Sequence, residues 1–120
     1  MKSVARRLKY RLYFHCTARG ERPVRQFLRA LPRKHRIKCA SYLNMVRVQG
    51  TGLPKIYVEK IADNLWEVKP EYENNEYRFL LGVIGPGRLG VVTALKKKRA
   101  RLPRKVFDQA MRLIEEMRNE

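Results

Sequence analysis

The sequence predicts an α+β fold for one domain that spans residues 1–120, with helices flanking an antiparallel β-sheet. Three observations support this prediction. Apolar and polar residues alternate at strand spacing near the amino terminus and again in the second half of the chain. Two segments with apolar residues at helical spacing lie between these regions, and a third such segment follows them. A chain of 120 residues fits one domain with one modest core.

Proline and glycine mark the predicted elements of the first half. Alternation predicts a strand over residues 9–16. Pro23 can begin a helix that ends before Pro32, and a second helix then runs to Gly50, a residue typical of helix ends. Together these helices form a helical hairpin. The inner face of the second helix is expected to consist of Ile37, Ala40, Leu43 and Val46.

The second half of the chain reads as a sheet followed by a helix. Clear strand patterns cover residues 65–69, 77–84 and 89–95, and residues 56–59 give a weaker one. Gly85-Pro86-Gly87 favours a turn, so the last two strands are expected to pair antiparallel. Pro103 opens the final helix, whose broad apolar stripe is expected to cover the sheet.

Positive charge is the unusual feature of the composition. The chain has 28 Lys and Arg against 11 Asp and Glu, a net charge of +17. Residues 1–58 hold fifteen bases and one acid, and residues 94–107 hold seven bases and no acid. A surface that only had to be soluble would mix the two signs, so these blocks favour a polyanionic partner. Nucleic acid fits better than an acidic protein or a membrane.

Several classes of protein are disfavoured. No apolar run reaches the length of a membrane span, and the amino terminus lacks the pattern of a signal peptide, so we expect a cytoplasmic protein. Cys16 and Cys39 are then expected as reduced thiols, buried as small apolar side chains. The sequence has no glycine-rich phosphate loop and no metal-ligand spacing, and we therefore expect no cofactor and no metal.

Four short motifs occur in order along the chain. Residues 21–28 read ERPVRQFL with Leu31-Pro32 following, residues 65–69 read LWEVK, residues 77–80 read YRFL, and Lys97-Lys98 precede Pro103. Together they resemble the HigB-like (phage-derived, Gp49-like) toxins of the RelE/ParE superfamily, over nearly the whole chain. The sequence departs from that pattern at Lys69, where relatives often have Arg, and at Thr93-Ala94-Leu95, where they have His-Gly-Phe.

The resemblance implies a RelE-like fold, in which an antiparallel sheet is flanked by an amino-terminal helical hairpin and a carboxy-terminal helix. It also implies the toxin of a type II toxin–antitoxin system that cleaves mRNA in the ribosomal A site. The expected partners are the ribosome, mRNA and a cognate antitoxin, a helix-turn-helix protein with an acidic contact surface. The missing histidine removes one proton carrier, which leaves the mechanism open.

The residues themselves suggest how such cleavage could work without a metal. When the 2′-OH of RNA attacks the neighbouring phosphate, the enzyme supplies a base, an acid and positive charge. The fork of Arg78 suits two phosphate oxygens, although an arginine in an apolar strand could instead pair with Glu67 or another acid. A lysine among other cations can lose its proton and act as a base. The candidate catalytic residues are Lys69, Arg78, Lys97 and Lys98.

A second set of basic residues is expected to bind RNA backbone. It comprises Arg25, Arg29, Arg33, Lys34, Arg36 and Lys38 of the helical hairpin, and Lys96, Arg99 and Arg101 after the last strand. For Lys97 and Lys98, a solvated basic loop that only aids binding is the alternative to a catalytic role. Tyr72 and Tyr77 are candidates for stacking on unpaired bases.

Two other functions stay open. A ParE-like protein of the same fold would inhibit DNA gyrase and cut no RNA. The chain could also be an RNA- or ribosome-binding protein without catalytic activity. Cleavage of mRNA within translated frames separates the first reading from both alternatives.

Overall fold

The computed structural model describes residues 10–98 and 101–120, and within them it contains six strands and three helices. In chain order these are β1 Arg11–Phe14, α1 Pro23–Ala30, α2 Arg33–Gln49, β2 Val58–Ala62, β3 Leu65–Val68, β4 Glu71–Tyr72, β5 Asn75–Gly85, β6 Arg88–Lys96 and α3 Arg104–Arg118. The predicted α+β class is confirmed, and helices form in the three segments where apolar spacing predicted them. The two-residue strand β4 was not predicted.

The sheet is mixed rather than antiparallel. Its strand order is β1-β6-β5-β3-β2, with β4 paired to β5 beside this path. The pairs β2–β3, β3–β5 and β5–β6 are antiparallel, but β1 runs parallel to β6. The expectation of a wholly antiparallel sheet is therefore wrong at β1. Alternation of apolar residues predicts that a strand exists, but it does not specify the neighbour or the direction of pairing.

Helices cover both faces of the sheet. On one face, α1 and α2 pack over a core that contains Phe79 and Leu81 of β5. On the other face, α3 packs over Leu80 and Ile84 of the same strand. Because β5 is buried on both sides, it reads as a nearly continuous apolar run, which Arg78 interrupts on the α3 face.

Gly82 allows α3 to approach the sheet closely. A Cβ at this position would lie 2.5 Å from the carbonyl oxygen of Asn64 and 2.7 Å from Cδ1 of Ile114 in α3. Any larger residue would force the helix or the β2–β3 turn to move. Glycine at this position therefore reflects the packing of α3 rather than a turn.

Two predictions of burial were wrong. Ile37 is 53% exposed and Ala40 is exposed too, so that the buried residues of α2 are Cys39, Leu43 and Val46. Ile37 and Val46 are nine residues apart, about two and a half helical turns, so they point to opposite sides of the helix. Cys16 is exposed, whereas Cys39 is fully buried as expected, and burial raises the pKa of its thiol to about 12.

Candidate functional site

A cavity of about 340 Å³ lies between the α3 face of the sheet and residues 101–106, where α3 begins. One wall is polar and the other is apolar. The polar wall consists of Glu67, Arg78, Lys96, Lys97, Lys98 and Arg101, and the apolar wall consists of Leu95, Leu102, Pro103 and Val106. The cavity therefore combines charges of both signs with an apolar surface, in a space large enough for about one nucleotide.

Arg78 lines this cavity and forms ion pairs with two carboxylates. Its Nε lies 3.1 Å from Oε2 of Glu67, and its Nη2 lies 3.1 Å from Oε1 of Glu76. Nη1 donates a 2.9 Å hydrogen bond to the carbonyl of Tyr77. The ion pair that the sequence left as an alternative is thus present, and the same guanidinium also lines the cavity.

Glu67 is the acidic group held deepest in the site. Its side chain is only 12% exposed, and that of Arg78 only 10%. Burial raises the pKa of Glu67, and this effect outweighs the opposing positive charges of Arg78 and Lys69. A carboxyl group with a raised pKa can exchange a proton closer to neutral pH, which suits general acid–base catalysis.

Glu76 links the two strands that form the polar wall. Its Oε1 lies 3.1 Å from Nζ of Lys97 on one side and 3.1 Å from Nη2 of Arg78 on the other. The hydrogen bond from Lys97 and then that from Arg78 lower the pKa of Glu76. Glu76 is therefore ionised near neutral pH and holds both cations in place.

The candidate catalytic residues do not all meet in the cavity. Arg78, Lys97 and Lys98 line it, but Lys69 does not. Lys69 extends along the same face of the sheet, and its Nζ lies 2.8 Å from Oε1 of Glu59. The hydrogen bond from Lys69 lowers the pKa of Glu59. Lys69 is thus paired with an ionised carboxylate outside the cavity, apart from the run of lysines that lines it.

The predicted RNA-binding residues divide into two surfaces. Lys96 and Arg101 line the cavity, and Arg99 lies outside the described residues. The six hairpin residues belong to α1 and α2, which cover the opposite face of the sheet. Arg25, Arg29, Arg33 and Lys34 are exposed, whereas Arg36 donates to the carbonyl of Leu31 and Lys38 packs over the ring of Tyr42.

His35 takes part in a hydrogen-bonded chain on the hairpin side. Its Nδ1 lies 2.7 Å from the hydroxyl of Tyr77, and its Nε2 lies 3.0 Å from Oε1 of Glu73. These hydrogen bonds connect the first turn of α2 to the start of β5. Because Tyr77 is only 3% exposed, the prediction that it stacks on RNA bases is wrong. Tyr72 is partly exposed and packs edge-on against His35.

Sequence reasoning missed Glu67 and Glu76 as members of the site. The strand pattern placed Glu67 and Lys69 on one face, so Glu67 could be found as a partner of Arg78 but not as a residue lining a cavity. Glu76 lies two residues before Arg78 on β5, which puts both on one face. This spacing was the sequence signal that could have identified Glu76 as a neighbour of Arg78.

Over residues 10–98 and 101–120, no group of three or more His, Cys, Asp and Glu side chains is arranged to hold a metal ion. None of the helices in these ranges combines the length and apolar character that crossing a membrane requires.

The fold and the cavity define a strongly basic α+β protein with a cavity between its sheet and its last helix that is lined by five cationic side chains and one carboxylate. The profile of the family described as phage-derived protein Gp49-like (DUF891) matches residues 26–115, three quarters of the chain. The chain belongs to this family, which is linked to RelE-type toxins. Among curated proteins, no significant match to the chain was found.

Proposed function

We propose that this protein is the toxin of a type II toxin–antitoxin system and that it cleaves mRNA on the ribosome. The observation that carries the proposal is the cavity, which gathers Arg78, Glu67 and three consecutive lysines around a space of nucleotide size. The link of the Gp49-like family to RelE-type toxins supports the same function. The net charge of +17 supports a polyanionic substrate.

The proposed reaction is metal-free transesterification within the RNA chain. The 2′-oxygen forms a bond to the adjacent phosphorus as the bond from phosphorus to the 5′-oxygen breaks, which leaves a 2′,3′-cyclic phosphate and a 5′-hydroxyl. Glu67 accepts the proton of the 2′-OH, because burial gives this carboxyl a raised pKa beside the arginine. Lys98, which is exposed and lines the cavity, donates a proton to the leaving 5′-oxygen.

Positive charge stabilises the transition state in this scheme. Arg78 and Lys97 face the cavity and neutralise the negative charge that develops on the non-bridging phosphate oxygens. Lys69 contributes at a distance, since its charge lowers the pKa of Glu67 and so partly offsets the effect of burial. Lys69 thus adjusts the pKa of Glu67, the proposed general base, without contacting the RNA.

Two surfaces would hold the RNA. The cations around the cavity, Lys96 and Arg101 among them, bind mRNA next to the scissile phosphate. The exposed cations of α1 and α2 lie on the opposite face and bind ribosomal RNA backbone. A cognate antitoxin with an acidic contact surface is the remaining proposed partner, and its complex should weaken as salt concentration rises.

The test is induction of the gene alone in a bacterial host, followed by mapping of mRNA 5′ ends. We expect growth arrest and new 5′ ends within translated frames. Arg78→Ala should abolish both, whereas Arg112→Ala, a matched loss of an exposed cation on α3, should abolish neither. Circular dichroism of both variants checks that they fold.

Other outcomes of this experiment would contradict the proposal. Growth arrest with DNA damage signalling and no new 5′ ends would instead indicate a gyrase inhibitor. Absence of arrest in the wild type, with folded protein present, would indicate a binding protein without this activity.

A further inference from the structure

A single carboxylate oxygen occupies the position between two cations of the cavity. Oε1 of Glu76 lies 3.1 Å from both Nη2 of Arg78 and Nζ of Lys97. These are the distances and the donor types that a phosphate oxygen makes with arginine and lysine. The Glu76 side chain thus stands where an anionic ligand of these two residues would bind.

Glu76 is also the most accessible of the four charged groups. Its side chain is 40% exposed, against 29% for Lys97, 12% for Glu67 and 10% for Arg78. An anion that approaches from solvent therefore meets Glu76 before it reaches Arg78. The side chain can turn outward into water, whereas the Glu67 carboxylate has little exposure.

The charge balance permits this exchange. Glu67, Glu76, Arg78 and Lys97 together carry two negative and two positive charges when ionised. If Glu76 moves away, Arg78 keeps Glu67 as its buried partner, so no buried charge is left unpaired. One phosphodiester, with a single negative charge, would restore neutrality.

The backbone can stay in place during the exchange. The amide of Lys97 donates a 2.7 Å hydrogen bond to the carbonyl of Glu76, which fixes the two strands next to each other. Only the side chain of Glu76 has to move. The two cations would then remain positioned for the incoming anion.

We propose that the position of the Glu76 carboxylate is a phosphate-binding subsite, and that Glu76 acts as a plug which a phosphate displaces. The identity of that phosphate as part of an RNA chain rests on the proposed function, but the subsite itself does not. Inorganic phosphate is thus a suitable probe.

The experiment is a titration with inorganic phosphate, followed by NMR of the Nε resonance of Arg78 and the Nζ resonance of Lys97 at constant ionic strength. Glu76→Gln keeps the size of the side chain and removes its charge. We expect it to bind phosphate at these two residues about three- to tenfold more tightly than the wild type, the range for two partly exposed ion pairs. Glu71→Gln is the matched control, since Glu71 pairs with Glu76 across the β4–β5 ladder and is exposed. It should leave the affinity within twofold of the wild type.

A second variant keeps the test decisive if glutamine alters the local fold. Glu76→Asp retains the charge but shortens the side chain by one methylene, so the carboxylate cannot reach both cations. Its phosphate affinity should lie between those of the wild type and Glu76→Gln. Equal or weaker binding in both variants would overturn the plug, as would phosphate binding that leaves the Arg78 and Lys97 resonances unmoved.

Cleavage assays on the same proteins separate this inference from the nuclease proposal. If the affinity rises in Glu76→Gln but the wild type cuts no RNA, the subsite stands and the nuclease proposal fails. If the wild type cuts RNA but the affinity does not rise, the nuclease proposal stands and the plug fails.

Discussion

Replacement of Arg78 by glutamine should destabilise the fold by about 2–4 kcal/mol near neutral pH. Arg78 and Glu67 form a 3.1 Å ion pair with side chains only 10% and 12% exposed. Removal of one partner from a buried pair leaves an uncompensated charge, at a typical cost of about 3–5 kcal/mol. We expect a cost that extends from the lower part of this range to somewhat below it, because Glu67 can take up a proton and so limit the cost. The exposed contact with Glu76 contributes little.

This loss of stability should depend on pH, and the protonation of Glu67 determines whether it grows or shrinks as the pH rises. Burial already raises the pKa of Glu67 above its ordinary value of 4.5, and loss of Arg78 removes the main charge that opposes this rise. A carboxyl whose pKa is raised by folding binds its proton more tightly in the folded state than in the unfolded state. The cost of Arg78→Gln is therefore small near pH 4.5 and grows as the pH rises through the folded-state pKa of Glu67.

Urea unfolding at pH 5 and pH 8 tests this reasoning through a double-mutant cycle. The double variant Arg78→Gln/Glu67→Gln carries no buried carboxylate, so at pH 8 it should recover about 1–2 kcal/mol relative to Arg78→Gln alone. At pH 5 the recovery should be much smaller. A double variant no more stable than Arg78→Gln at pH 8, or an equal cost at both pH values, would refute the account.

Three further predictions concern the site, the packing of α3 and the thiols. Glu67→Gln should slow the proposed mRNA cleavage about 10²- to 10⁴-fold and remove the loss of rate toward acidic pH that we expect of the wild type. An unchanged pH–rate profile would place the base elsewhere. Gly82→Ala should lower the free energy of unfolding in urea by about 1–3 kcal/mol. Gly52→Ala is the control and should have little effect, because a Cβ at this position meets no atom within 4 Å. Equal effects of the two substitutions would contradict the packing argument. In the folded protein Cys16 should react with a thiol reagent and Cys39 should not, because Cys39 is fully buried and burial raises its pKa to about 12. Equal reactivity of the two thiols would contradict the burial of Cys39.

Local patterns predicted the elements well, because each depends on residues close together in the chain. The apolar run of β5 and the broad stripe of α3 are signals of this kind, and both elements form as expected. The parallel pairing of β1 was not predictable in this way, because its partner β6 lies some 75 residues further along. The inner face of α2 was misjudged for another reason: Ile37 and Ala40 continue a spacing of three residues that drifts around the helix, whereas Cys39, Leu43 and Val46 follow its true period.

The candidate site could be predicted only in part, because local patterns do not specify how distant segments align. Strand alternation indicated that Arg78 could pair with Glu67, and this ion pair is present. The cavity depends on how β3, β5 and β6 are aligned and on where residues 101–103 lie against them, which no local pattern encodes. The same limit explains Lys69, which alternation placed correctly on the face of Glu67 but whose ion pair with Glu59 requires the register of β2 against β3.

The pairing of β1 with β6 has a consequence for how the protein acquires its shape during synthesis. Strand β1 leaves the ribosome early, but it has no partner until residues 88–91 have followed it. Contacts between such distant segments form late, because a long loop must close first. The cavity-lining residues of the ranges 95–98 and 101–106 emerge later still. A growing chain therefore lacks the complete cavity until residues 101–106 have left the ribosome, long after β1 has done so.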